Sequence, residues 1–118
     1  METNEAIMAF CQSEKIKAGL IWTSQTIELL LGLPEEQKKG AEKTVHVLLN
    51  MVSQEISLAK ALARHEAWSE AEPHIEKALI MINSGVSHEA GIHLSKALSK
   101  ITNIGQQSMS LLQERDLL

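Results

Sequence analysis

Glu70-Ala71-Glu72-Pro73-His74-Ile75-Glu76-Lys77-Ala78-Leu79-Ile80-Met81-Ile82 returns nineteen residues later as Glu89-Ala90-Gly91-Ile92-His93-Leu94-Ser95-Lys96-Ala97-Leu98-Ser99-Lys100-Ile101, with seven of thirteen positions identical. In the first copy Ala71, Ile75, Ala78, Leu79 and Ile82 recur at helical spacing. In the second, Ala90, Leu94, Ala97, Leu98 and Ile101 do the same. A stripe alternating small and large residues lets two helices approach closely and interdigitate. The echo therefore predicts two similar helices packed in one structure. The Glu opening each copy falls in a first turn, where it favours the positive end of the helix dipole. It stands four residues before its His, so the two share a face.

Working outward, the spacing predicts two more helices and no strand. The first runs about Asn4 to Leu31 and stops at Gly32-Leu33-Pro34, a glycine followed by a proline suited to the next first turn. The second runs about Glu35 to Ala67, with Gly40 early in it as a weak point that could move the start to Ala41. Ser69-x-x-Glu72 reads as a capping box opening the third helix, with Pro73 in its first turn. Gly85 closes that helix in the left-handed conformation, and Ser87 caps a fourth that runs to about Arg115. Short connections make successive helices antiparallel neighbours. The expected fold is all-α: one domain over residues 1–118, an antiparallel up-down bundle of four helices, three long and one short.

Composition agrees and excludes several functions. The chain has 118 residues, 44% hydrophobic, with one Phe, two Trp and no Tyr, so the core must be aliphatic. A chain this long can bury roughly two-thirds of its unfolded surface and needs no metal or disulfide to fold. A net charge of -4 and few aromatics leave neither a phosphate-neutralising footprint nor a base-stacking platform, so nucleic acid is not an expected partner. No apolar run approaches the ~20 residues of a membrane span. One Cys and an acidic Met1-Glu2-Thr3-Asn4-Glu5 start point to a reducing, cytoplasmic setting. Cys11 reads as a small core residue, and Trp68 as the seal of the corner between the second and third helices.

The apolar faces exceed what a lone bundle needs. The fourth helix carries one stripe, but the second adds Val47, Met51, Leu58 and Leu62 beside its line through Val45, Leu48, Leu49, Val52, Ile56, Ala59 and Ala63. The first helix is apolar on two sides. Ile7, Phe10, Cys11, Ala18 and Ile21 form one, and Ile16, Leu20, Ile27, Leu30 and Leu31 the other. A second apolar face must be covered. The expectation is a homo-oligomer, dimer or higher, or a protein partner, meeting Ile16, Leu20, Trp22, Ile27, Leu30, Leu31, Val47, Met51 and Leu58. Trp22 would be the anchor. No nucleophile-and-base motif, phosphate-cradling glycine loop or cofactor fingerprint occurs. The expected function is non-enzymatic, by protein-protein interaction, with no cofactor.

Two other functions compete for the histidines. His74-Ile-Glu-Lys77-Ala78 and His93-Leu-Ser-Lys96-Ala97 are similar to the His-x-x-Lys-[Ala/Gly] motif of histidine phosphotransfer domains, which are also four-helix bundles. The resemblance implies a phosphoryl group carried on His93 or His74, its charge balanced by Lys96 or Lys77. Glu76 and Ser95 stand where that family has an apolar residue before the lysine. A metal-binding bundle is the other alternative, from the pairs Glu42/His46, Glu70/His74 and Glu89/His93. Their four-residue spacing differs from the Glu-x-x-His of di-iron bundles. Separately, Leu58-Ala59-x-x-Leu62 followed by Ala71, Ile75 and Ala78 resembles one hairpin of a tetratricopeptide repeat, which implies a packed helical pair. The nineteen-residue echo departs from that family's period of about 34.

Overall fold

The computed structural model describes residues 1–118 and is a four-helix, strand-free bundle: α1 Thr3–Leu31, α2 Glu35–Leu62, α3 Glu66–Asn83 and α4 Ala90–Glu114, with a 3-10 turn at Ser87–Glu89 before α4. α1 packs between α2 and α4, and α3 closes the ring against α4 and, less extensively, α2. Neighbours run antiparallel: Arg115 at the end of α4 donates to Thr3 Oγ1 (2.8 Å) and Met1 O (2.9 Å), and Lys100 reaches Glu70 at 3.1 Å. The bundle measures 53 × 21 × 18 Å.

One core runs through all four helices. Ile16, Leu20, Ile27 and Leu30 of α1 meet Val45, Leu49, Val52 and Ile56 of α2, Ala71, Ile75, Ala78 and Ile82 of α3, and Leu94, Ala97, Ile101 and Ile104 of α4. Four of the residues expected at an interface, Ile16, Leu20, Ile27 and Leu30, are thus core residues. The reason is an unbroken line at three- and four-residue steps: Ala6, Ala9, Ser13, Ile16, Leu20, Thr23, Ile27, Leu30, all buried. Ser13 Oγ donates to Phe10 O (2.8 Å) and Thr23 Oγ1 to Gly19 O (2.7 Å), so both polar members are satisfied within their own helix and can face the core. The rival line is the outward one: Ile7, Ile21 and Cys11 are exposed. Cys11 is therefore not a core residue.

The corners correct three boundaries. α2 ends at Leu62, and α3 begins at Glu66 with His65 as N-cap, its Nδ1 accepting from Ala67 N at 3.1 Å. Ser69 and Glu72 form no capping box; Ser69 lies inside α3 and Glu72 pairs with Lys60 at 2.8 Å. Trp68 explains the earlier start: it is fully buried and donates its indole N–H to Ala63 O at 3.0 Å, locking the corner. Pro73 consequently sits in the helix interior, on the solvent side, where the carbonyl it leaves without an N–H partner can bond water. Ser87 opens the 3-10 turn and makes no side-chain cap. Gly85 does take the left-handed conformation (φ +77°), with Gly85 N bonding Ile82 O and Val86 N bonding Met81 O, a Schellman close.

Candidate functional site

Two features stand outside the core's requirements, on opposite sides of the bundle. The first is the outer face of α1 and α2. Trp22 is 66% exposed, Val47 56%, Met51 54% and Leu58 47%. Leu31 is exposed as well, at the end of α1. The sequence reading missed Met8 and Leu29, both exposed, and Leu62 is exposed at the far end of α2. Met8, Trp22 and Leu29 recur at multiples of seven residues, which places them along one edge of α1, about 31 Å from end to end. That recurrence was the available signal. At the centre of the face, Trp22, Leu48 and Met51 line a shallow groove of ≈ 170 Å³ floored by Ile16, Gly19 and Val52. Gly19 brings the helices close there: a Cβ on it would lie 3.1 Å from Val52 Cγ2.

A polar crossing interrupts the apolar strip once. Glu55 accepts from Gln12 Nε2 (3.1 Å) and pairs with Lys15 (3.1 Å). Those two contacts, Gln12 first, hold its carboxyl below the usual glutamate range. The crossing fixes the register of α1 against α2.

The second feature is the seam of α3 and α4, where His74 and His93 stand. Neither leans on the Glu four residues before it. Glu70 turns to Lys100 (3.1 Å), and Glu89 lies 4.0 Å from His88. Nδ1 of both rings is buried with no hydrogen-bond partner. Burial, then the positive charges of Lys77, Lys96, His93 and Lys100, pushes the His74 pKa down. Among the other histidines, His46 pairs with Asn50 (3.2 Å) and His65 Nε2 with Gln107 Oε1 (2.6 Å). No three His, Cys, Asp or Glu side chains come together in a group that could hold a metal ion. No helix is long and apolar enough to cross a membrane.

No protein family matches the chain, and no curated protein or solved structure matches it either.

Proposed function

We propose that this protein is a non-enzymatic, cytoplasmic interaction module that self-associates through the outer face of α1 and α2. The observation that carries the reading is the apolar strip from Met8 to Leu29 with Val47, Met51, Leu58 and Leu62 beside it, centred on Trp22. An exposed Trp flanked by Met and Leu has the composition of an interface hot spot. Two helices side by side over that length present roughly 600 Å² per protomer. A two-fold pairing would then bury about 1,200 Å², the lower edge of a stable interface.

A second copy of this chain is the favoured occupant because the strip is self-complementary in charge. Its only crossing holds one cation and one anion, Lys15 and Glu55. A two-fold pairing centred on this crossing would set the internally neutralised Lys15–Glu55 pair of one copy beside that of the other, so that no uncompensated like charges face one another.

The test is sedimentation equilibrium at 1–100 µM. Wild type is expected to dimerise. Trp22→Glu with Met51→Glu is expected to be monomeric with an unchanged melting curve, because both side chains are exposed. A wild-type monomer throughout that range overturns the proposal.

Nothing at the seam favours phosphotransfer over this reading. Attack by Nε2 on a phosphoryl group needs its lone pair free and the ring proton on Nδ1. In both rings Nδ1 is buried and has no acceptor for that proton.

A further inference from the structure

The His pair remains to be explained, and it lies across the bundle from the apolar strip. Each copy of the echoed segment contributes one His and one Lys: His74 and Lys77 from α3, His93 and Lys96 from α4. The helices are antiparallel, with Glu70 opposite Lys100. The two copies are therefore related by an approximate two-fold axis through the seam, which sets His74 facing Lys96 and His93 facing Lys77.

The protonation state follows from the buried nitrogens. A buried N–H with no acceptor is the rarer and costlier arrangement. The proton of each neutral ring therefore sits on Nε2, the nitrogen of each ring that is not buried without a partner. Both imidazoles then offer an N–H at the surface of the seam, and the two lysines flanking them are exposed and offer ammonium groups. Of the nearby acids, Glu70 is engaged by Lys100 at 3.1 Å, and Glu89, before the first turn of α4, is exposed and lies 4.0 Å from His88. The seam thus brings two imidazole N–H groups and two ammonium groups to one side of the bundle, where burial, and then the charges of Lys77, Lys96, His93 and Lys100, disfavour protonation of His74.

We propose that the α3–α4 seam binds a phosphate-type oxyanion non-covalently, between the Nε2–H groups of His74 and His93 and the ammonium groups of Lys77 and Lys96. A tetrahedral dianion matches these four donors in number and the two lysines in charge. It also accounts for two histidines standing in a lysine-rich seam, since the bound charge offsets the lysines. A divalent metal is the wrong guest, because the seam presents N–H donors and cations where a metal needs lone pairs.

The test is a titration of the intact protein followed by imidazole nitrogen NMR at pH 7.5, with inorganic phosphate in one arm and phosphoserine in the other. Sodium chloride at matched ionic strength is the control. Saturable shifts are expected at His74 and His93, with none at His46, His65 or His88. Lys77→Ala with Lys96→Ala, both exposed and so compatible with folding, is expected to weaken binding at least tenfold. Saturation by phosphate alone identifies the free anion as the ligand, and saturation by phosphoserine an ester; either supports the site. Shifts no larger than those in chloride overturn it, as does a double variant that binds as tightly as wild type.

Discussion

Gly105 and Ser13 are a coupled pair, and a double-mutant cycle reads the coupling directly. Gly105 is buried in the middle of α4, where it crosses Ser13 of α1. A Cβ on Gly105 would lie 2.9 Å from Ser13 Oγ, well inside normal contact, and 3.5 Å from Ser13 Cβ, which is ordinary contact. The hydroxyl is held in place by its bond to Phe10 O at 2.8 Å. Gly105→Ala alone gains about 1 kcal/mol of helix propensity. Against this stands the overpacking of the seam, about 1–3 kcal/mol. The single variant is therefore neutral or destabilised by up to about 2 kcal/mol. Ser13→Ala alone loses a hydroxyl bonded only to its own helix, at a cost of about 1 kcal/mol or less. In that background the oxygen is gone, the next atom is at contact distance, and Gly105→Ala gains its full ~1 kcal/mol. The cycle should show a favourable coupling of about 1–3 kcal/mol, measured by urea denaturation with circular dichroism at unchanged slope. Additivity within about 0.5 kcal/mol would refute the close approach of α1 and α4 at this crossing.

Three further outcomes follow from the same packing. Gly85→Ala should destabilise by about 1 kcal/mol because its φ is +77°, whereas Gly40→Ala, helical with open space around its Cβ, should stabilise by about 0.5–1 kcal/mol; chemical denaturation separates them. Trp68→Phe should cost about 2–4 kcal/mol, by leaving Ala63 O without its indole donor and a void at the corner, seen as a lowered denaturation midpoint. The depressed His74 pKa makes the folded state bind fewer protons than the unfolded chain between its lowered value and the ordinary histidine value of 6.5. Stability should be full above that pH and decline as pH falls through it, levelling off below the folded value. His74→Gln should flatten that part of the pH–stability curve relative to wild type.

The helices themselves were legible because their signals are local. The Gly32–Pro34 stop, the glycine at 85 and the paired stripes of α3 and α4 each act within one turn of chain. Two errors had non-local causes. The α2–α3 corner was misread because Ser69-x-x-Glu72 looks like a cap, while the real start depends on Trp68 reaching back to Ala63 and His65 reaching across to Gln107. The inward face of α1 is hard to pick from its apolar residues alone, because Ser13 and Thr23 interrupt it as polar positions. Counted as side chains satisfied by their own helix, they complete the line from Ala6 to Leu30. The exposure of Val47, Met51 and Leu58 on α2 was legible because its core line is complete without them. The orientation of His74 and His93 was beyond the sequence, since ring rotamers depend on the depth of the seam.

The grip of Arg115 on Thr3 and Met1 has a consequence for how the chain reaches this structure. α1 packs along α4, the partner most distant from it in sequence. The two connect residues separated by more than a hundred positions. Closing so long a loop carries an entropic cost repaid only when the whole seam engages. The α3–α4 and α1–α2 hairpins are local and can form early, but the ring cannot shut until the last helix has emerged and docked on the first. Folding should therefore be slower than the helical content suggests. Until that docking, the sides of Ile16, Leu20 and Ile27 that α4 will cover stay open beside Trp22, and a nascent chain carries more adhesive surface than a finished one.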